Sequence, residues 1–287
     1  MAALQQPISF QPPAAERDVS MLAGIATALV AIIAGIASTG VSASYFFQPA
    51  GVLIVLGGLF GVTMVTTPKH ALLNSLRRVL SLVSAPVTQR QSLIDEIAFF
   101  AASIRTQGVH SFERLIEASS NSFLRDGLLF ALDAKERSEL LSTLETELRL
   151  RERQGEADAK TLEVAGAFAP TMGILGTVIG LIDVLRQFSN LQSVGSGIGT
   201  AFVSTIYGLA LANLVLLPMA HRIRAKVAES FELQEMMIEG VMCVRDRVHP
   251  LLVRQRLAPY LREDGGNERR ARSRRSALLA NSTTGGM

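Results

Sequence analysis

Fifty consecutive residues near the start of the chain, Val19–Pro68, contain no Asp, Glu, Lys or Arg. About 20 residues of apolar helix cross a bilayer core, so this stretch has room for two spans and a short turn. The turn is indicated by Ser42–Pro49, whose Tyr and Phe side chains are typical of a membrane interface. We therefore predict one span at Met21–Gly40 and a second at Gly51–Thr67.

A second pair of apolar segments lies later in the chain. Val164–Ile182 and Gln187–Ala220 are free of charged residues, and the second of them contains a glycine-rich turn at Ser193–Gly197. Only 18% of all residues are charged, against about 25% in an average soluble domain. The chain is therefore predicted to be an integral membrane protein with four transmembrane helices.

The basic residues lie on one side of this four-span arrangement. Of the 28 Lys and Arg residues, all except Arg186 precede the first span or lie in Lys69–Lys160 or Arg222–Arg275. The positive-inside tendency places these segments, together with both termini, in the cytoplasm. The pI of about 9.3 thus reflects membrane topology, and we expect no nucleic acid among the partners.

The fold predicted from these patterns is all-α, with a large helical cytoplasmic loop between the second and third spans and a cytoplasmic C-terminal helix. Helical periodicity in the loop indicates helices at Ser92–Gln107, Ser111–Arg125 and Glu136–Arg153. The predicted divisions are a disordered cytoplasmic N-terminus at 1–18, transmembrane helices 1 and 2 at 19–68, a cytoplasmic helical domain at 69–163, transmembrane helices 3 and 4 at 164–220, cytoplasmic helices at 221–262 and a disordered Arg-rich tail at 263–287.

The segment that follows the second span, Lys69–Ala85, has leucines at helical spacing with arginines offset from them. This pattern fits an amphipathic helix that lies on the membrane surface. It fits an ordinary packed helix equally well, and both interpretations stay open.

Small and hydroxyl-bearing residues form one stripe on each of the last two spans. Gly173, Thr177 and Gly180 share a face of the third span, because they are spaced i, i+4 and i+7. The corresponding stripe on the fourth span consists of Ala201, Ser204, Thr205, Gly208 and Ala212. Such stripes allow close helix packing, and their oxygens also suit an ion path in which they replace the water around a hard cation. The two roles are compatible.

The sequence offers little support for enzymatic chemistry. Its four histidines are scattered, and no phosphate-binding loop or paired carboxylates are present. We predict that the chain is not an enzyme and needs no cofactor. The one membrane acid, Asp183, lies about 20 residues into its helix and so near the far interface. A driven ion path usually needs an ionisable group in the membrane, so a partner helix is expected to supply the carboxylate.

At these residues the chain resembles a known family. The segments Ala169–Leu181 and Ala201–Ala220 look like the third and fourth spans of MotA-type flagellar stator subunits, in the MotA/TolQ/ExbB channel superfamily. Met237–Val241 also resembles the family's cytoplasmic tail. The resemblance implies a multi-pass protein of the bacterial inner membrane, with a pentamer of this subunit around a dimer of a MotB-type partner. That partner carries a membrane Asp and a peptidoglycan-binding domain.

The resemblance also implies roles for individual residues. Arg105 and Glu113 have the spacing of the basic and acidic residues through which the family engages the flagellar rotor switch protein. Without the resemblance, the sequence would indicate only two solvated charges on helices. Pro170 and Pro218 match the family's two prolines at the cytoplasmic span ends, where each would kink its helix and form a conformational hinge.

The nature of the coupling ion is a finer prediction. Thr177 and the Ser204–Thr205 pair resemble the hydroxyls of sodium-driven members, and a dehydrated Na⁺ needs oxygen ligands such as Thr177 and Thr205. We therefore favour Na⁺ over H⁺. Two other functions are considered: a TolQ/ExbB-like proton-channel subunit that energises a cell-envelope complex, and a passive membrane scaffold whose hydroxyls serve only packing.

Overall fold

The computed structural model describes residues 20–40, 42–84, 90–106, 109–119, 121–186 and 191–261. Within these ranges the regular elements are all helical. The α-helices are α1 (Ser20–Ser38), α2 (Pro49–Val52), α3 (Gly58–Thr66), α4 (Lys69–Ser84), α5 (Arg90–Thr106), α6 (Val109–Glu117), α7 (Ser122–Asp133), α8 (Arg137–Arg186), α9 (Leu191–Ala210), α10 (Leu217–Arg245) and α11 (Pro250–Leu257). The predicted disordered segments, 1–18 and 263–287, lie outside the described residues.

Two π-helical turns and two 3₁₀ turns complete the path of the chain. A 3₁₀ turn at Ala43–Phe46 lies in the predicted turn between the first two spans. One π turn, Leu53–Gly57, joins α2 to α3, and the other, Leu211–Leu216, joins α9 to α10. A second 3₁₀ turn, Ala258–Leu261, follows α11.

Three of the helical stretches are long and apolar enough to cross a membrane, and they lie within Ser44–Thr66, Arg137–Arg186 and Val194–Arg245. The apolar part of α1, Ala23–Ser38, is shorter than these three. The predicted first span corresponds to α1, and the second to α2, its π turn and α3. The described residues therefore confirm a helical fold with helices that are able to span a membrane, while the exact number of four spans stays a prediction.

The helix predicted at Glu136–Arg153 continues past its predicted end into the predicted third span. Both belong to the single 50-residue helix α8. Gly155 lies in the intervening segment, where a side chain would collide with Val227 Cγ2 at 2.4 Å and Arg78 Nη1 at 2.7 Å. The glycine thus serves close packing and does not end the helix.

A correction concerns the predicted helix Ser111–Arg125, which consists of two helices. α6 ends at Glu117 and α7 begins at Ser122. The side-chain oxygen of Asn121 accepts hydrogen bonds from the backbone N–H groups of Phe123 at 2.9 Å and Leu124 at 3.2 Å. Such an N-cap satisfies amides that would otherwise lack partners, so it starts a new helix.

The described residues form two compact units. The membrane-helix unit takes its residues from Ala15–Ala85 and Arg153–Val227, and the core unit from Pro86–Glu152 and Ala228 onward. The core unit is built around large buried side chains, among which Phe100 and Phe112 pack edge to face with ring centroids 6.0 Å apart. The membrane-helix unit has only small clusters of buried apolar residues, such as Leu59, Ala165 and Ala169 with Ala212.

Candidate ion path

Two threonine hydroxyls meet between α8 and α9. Thr177 Oγ1 and Thr205 Oγ1 are 2.5 Å apart. Thr177 Oγ1 also lies 3.2 Å from the carbonyl oxygen of Ala201 and 3.1 Å from that of Gly173. Thr205 Oγ1 is 3.5 Å from the same Ala201 oxygen. The structure thus brings together four oxygen atoms from two apolar helices.

The four oxygen atoms have more lone pairs than the two hydroxyl protons can occupy. Each hydroxyl carries one proton and two lone pairs, and each carbonyl oxygen has two lone pairs. Thr177 can therefore donate to only one of its neighbours at a time, and lone pairs remain for another partner. Oxygen atoms of this kind replace water around a hard cation, and hydroxyls can also relay hydrogen bonds.

The predicted glycines lie at the places where the two helices approach most closely. A Cβ atom on Gly208 would be 2.5 Å from the carbonyl oxygen of Ala169, and one on Gly180 would be 2.8 Å from the amide nitrogen of Ala201. On Gly173 it would be 3.0 Å from the Ser204 carbonyl oxygen. Each obstacle is backbone, so the stripe of small residues permits backbone-to-backbone packing.

Ser204 points away from the threonine pair. Its side chain is fully buried, and its hydroxyl donates to the carbonyl of Thr200 at 2.7 Å. A Cβ atom on Gly51 would be 2.6 Å from Ser204 Oγ, and one on Gly176 would be 2.5 Å from Ser204 Cβ. Consecutive helical residues point about 100° apart, so Ser204 and Thr205 face different neighbours.

A further polar cluster, which we call the Gln48 cluster, was not predicted. Thr200 Oγ1 donates to Gln48 Oε1 at 3.2 Å, and the backbone N–H of Gln48 donates to the Tyr207 hydroxyl at 3.3 Å. The Tyr207 hydroxyl in turn donates to the carbonyl of Phe46. These bonds tie the turn before α2 to α9. The only signal in the sequence is a single tyrosine in a segment without charged residues.

Both predicted hinge prolines lie inside helical stretches. Pro170 lies within α8, and Pro218 is the second residue of α10, directly after a π turn. A proline removes the backbone hydrogen bond to the carbonyl four residues earlier, which for Pro170 is that of Gly166. A Cβ atom on Gly166 would be 2.8 Å from Leu217 Cδ2, so the two proline-containing regions pack against each other.

Ion pairs connect the part of α8 that precedes Pro170 to α4 and α10. Arg224 on α10 binds both carboxylate oxygens of Glu163, and its Nε donates to Glu156 at 3.1 Å. Arg78 on α4 lies 3.0 Å from Asp158 Oδ2. Burial raises the pKa of Asp158, and the Arg78 guanidinium opposes this rise.

The two residues predicted to contact a rotor are both exposed and belong to the core unit. Arg105 lies in the last turn of α5, and its Nη1 donates to the carbonyl of Arg247 at 3.0 Å. Glu113 lies on α6. The structure thus places both charges on a water-accessible surface of this unit.

These elements define a class: a helical membrane protein in which two long apolar helices share a paired-hydroxyl contact. A family model described as the MotA/TolQ/ExbB proton channel family matches residues 115–236. Motility protein A of Bacillus subtilis (strain 168) is 32% identical over 246 residues, which cover 85% of this chain and 91% of that protein.

Two solved structures are also similar. The flagellar MotAB stator complex from Bacillus subtilis matches with a TM-score of 0.76 and 30% identity, covering 84% of this chain and 95% of that chain. C. jejuni MotAB matches with a TM-score of 0.79 and 23% identity, covering 86% and 97%, and supports the fold. The chain belongs to the MotA/TolQ/ExbB proton channel family, as a MotA-type stator subunit. The predicted family is confirmed, and with the apolar helices it indicates a protein of the inner membrane.

Proposed function

We propose that this chain conducts Na⁺ together with a MotB-type partner and transmits torque to the flagellar rotor. The observation that carries the proposal is the contact of Thr177 with Thr205 at the α8–α9 interface. Its four oxygens form a polar point between the apolar stretches of α8 and α9, where a partly dehydrated ion finds ligands. In this proposal Thr177 and Thr205 contact the ion transiently, and no cofactor takes part.

The carboxylate of the proposed path comes from the partner. Apart from Asp183, the apolar segments Val19–Pro68 and Val164–Ala220 contain no acidic residue. A MotB-type helix with a membrane Asp would present its carboxylate to the threonine pair. We propose a pentamer of this subunit around a partner dimer, four spans, and both termini in the cytoplasm. The solved relative described as a MotAB stator complex supports a partner of this kind.

Within this path we assign different roles to the predicted residues. Thr177 and Thr205 bind the ion, whereas Gly173, Gly180 and Gly208 set the helix separation at which their hydroxyls meet. Ser204 supports the path by packing against Gly51 and Gly176. Pro170 and Pro218 serve as hinges that respond to protonation or ion binding at the partner's carboxylate.

The ion assignment is tested by measuring swimming speed against external Na⁺ at fixed pH. Wild-type speed should rise and saturate. Thr177→Val and Thr205→Val keep the side-chain shape but lose one oxygen each, so the half-saturating Na⁺ concentration should rise about tenfold or more, since a contact to a charged group is worth about 1.5–3 kcal/mol. Thr27→Val on α1, whose hydroxyl donates to its own helix at Ala23, is the matched control.

The outcomes of this titration separate the candidate functions. A speed that does not depend on Na⁺ would reject the sodium assignment and favour H⁺. Unchanged half-saturation in both threonine variants would reject the ion path itself and leave the hydroxyls a packing role. A reporter at the N-terminus that reads periplasmic would reject the proposed topology and favour the TolQ/ExbB-like arrangement.

The rotor contact has its own test. Glu113→Lys reverses an exposed charge without burying it, so the stator should assemble normally while torque at high load falls. Assembly is measured by membrane foci of a fluorescently tagged stator, and torque by the rotation of a bead on one flagellum. Full torque in Glu113→Lys and in Arg105→Glu would contradict the rotor role.

A further inference from the structure

A cavity of about 230 Å³ opens on the surface of the core unit. Its apolar lining comes mainly from Ile104, Phe112, Leu128, Ala131 and Val244. Phe112, Leu128 and Val244 are each only 1% exposed, so they form a floor that is fixed in the core. The cavity is large enough for one apolar side chain.

Two arginines contribute to the cavity wall. Arg245 and Arg247 line it directly. The guanidinium of Arg245 is held in place, because its Nη2 donates to the carbonyl of Lys135 at 3.0 Å. Arg105 is tied to the same rim through its hydrogen bond to the carbonyl of Arg247. A cavity with an apolar floor and two arginines in its lining complements a partner that offers an apolar side chain next to a carboxylate.

Arg247 has an unusual backbone for its residue type. Its φ is 51°, the only positive φ of a non-glycine residue in the part of the chain that the structure describes. It ends α10 in a Schellman motif, in which the N–H of Arg247 donates to Val244 and that of Val248 to Cys243. Glycine is the usual residue there, because a side chain in the left-handed region is strained.

An arginine at a glycine position calls for a reason outside the fold. A strained residue persists where the surrounding structure enforces it, and such residues often lie at functional sites. The backbone contacts of Arg247, including the carbonyl that Arg105 binds, would be kept by glycine. Only the guanidinium would be lost, so the guanidinium is the feature to explain.

The cavity also adjoins both residues of the proposed rotor contact. Ile104 and Phe112 line it, and they directly precede the exposed Arg105 and Glu113. We propose that the rotor segment engaged by these two charges also places one apolar side chain in the cavity and a carboxylate against Arg247. This inference rests on the rotor role proposed above and adds to it the chemistry of the partner.

The decisive variant is Arg247→Gly in the full stator complex. The melting temperature of the purified complex should stay equal or rise, because the strain is relieved, and stators should still form membrane foci. The dwell time of stators at a loaded motor should fall about twofold to fivefold, as expected for loss of one exposed ion pair. Arg247→Lys, which keeps the charge, should retain most of the dwell time. An unchanged dwell time in Arg247→Gly would overturn the proposal.

A second variant tests the cavity itself. Ala131→Leu adds three carbons inside it and should shorten the dwell time at a loaded motor, whereas Ala118→Leu, at an exposed site on the same unit outside the cavity, should not. Normal dwell in Ala131→Leu would overturn the apolar anchor.

The charge-reversal variants Arg105→Glu and Glu113→Lys separate the two proposals. If they keep full torque, the rotor role itself fails. If they lose torque while Arg247→Gly and Ala131→Leu behave like the wild type, only the docking cavity fails.

Discussion

The membrane-helix unit and the core unit hold their helices together by different means. In the membrane-helix unit, α8 and α9 meet through glycines, with backbone against backbone at Gly173, Gly180 and Gly208. In the core unit, helices meet through large side chains such as Phe100, Phe112 and Leu128. The same chain, and in part the same helix α8, thus uses two packing strategies.

The difference follows from the solvent around each unit. In water, burying large apolar side chains stabilises by about 1.5–3 kcal/mol each, so bulky residues form the core. In lipid the surroundings are as apolar as leucine, so this driving force is absent and helices gain by close approach and hydrogen bonds. Exposed Ile174, Val178 and Phe202 on α8 and α9 fit that view, since lipid or other subunits can cover them.

The largest effect is expected in the core unit. Phe100→Ala removes a ring that is 1% exposed and should lower the free energy of unfolding by about 3–5 kcal/mol. Phe130→Ala, at a ring that is 45% exposed in the same unit, should lower the free energy of unfolding much less. Both losses are measured by chemical unfolding of the purified complex, with limited proteolysis of the core unit as the readout of unfolding. Similar losses in the two variants would mean that side-chain burial does not dominate there.

A medium effect is expected at the glycine contact. Gly208→Ala forces a Cβ atom against the Ala169 carbonyl at 2.5 Å, so it should destabilise by about 1–3 kcal/mol or displace α9. Gly61→Ala is the control, because a Cβ atom there meets nothing within 4 Å. The yield and thermal stability of the detergent-purified complex report on both. If Gly208→Ala matched Gly61→Ala, close backbone packing would not be what holds α8 to α9.

The smallest effect, a pH-dependent one, is expected where charged residues pack in the membrane-helix unit. Burial raises the pKa of Asp158, so its folded state holds the proton more tightly than the unfolded state. Its contribution to stability is therefore greatest at acidic pH and declines as pH rises from the ordinary carboxyl range through the raised pKa. Asp158→Asn should remove this decline.

The partner variant Arg78→Gln removes the charge that holds this pKa down. The decline should then extend to higher pH. At neutral pH the free energy of unfolding should fall by about 1 kcal/mol, a small loss because Arg78 is partly exposed. Thermal melting between pH 4 and 8 measures it, with the double variant Arg78→Gln/Asp158→Asn as control. A pH profile of Arg78→Gln identical to that of the wild type would show that the ion pair is not energetically coupled.

The sequence predicted those features that depend on local pattern. Charge-free length predicted an apolar helix at Met21–Gly40, close to the bounds of α1, and helical spacing put Gly173, Thr177 and Gly180 on one face. That face does meet α9. Both features follow from hydropathy and the helical period, which act over short distances along the chain.

Features that depend on distant parts of the chain could not be predicted in the same way. Ser204 and Thr205 are adjacent in sequence, and only the positions of Gly51 and Gly176 show what Ser204 packs against. Gly155 lies inside the continuous helix α8, and only Val227 and Arg78 explain it as a packing residue. Likewise, an arginine at position 247 gives no hint of its left-handed backbone. In each case a residue far along the chain supplies the reason.

The π turns have a consequence for how faces are counted along a helix. Each α-helical residue advances the direction of the side chain by about 100°, so Ala212 and the buried Ala220 would point about 80° apart in an unbroken α-helix. The extra residue of the Leu211–Leu216 turn brings them within about 20°. The turn between α2 and α3 acts similarly on a buried series that recurs every fourth residue: Gly51, Val55, Leu59, Thr63 and Thr67.

Each π turn therefore works as a phase correction. It keeps one stripe directed at the same neighbour over a length at which a regular helix would have rotated away. A single-residue deletion inside Leu211–Leu216 would remove the extra residue, leave a regular α-helix and keep the residues after it pointing in nearly the same direction relative to Thr205.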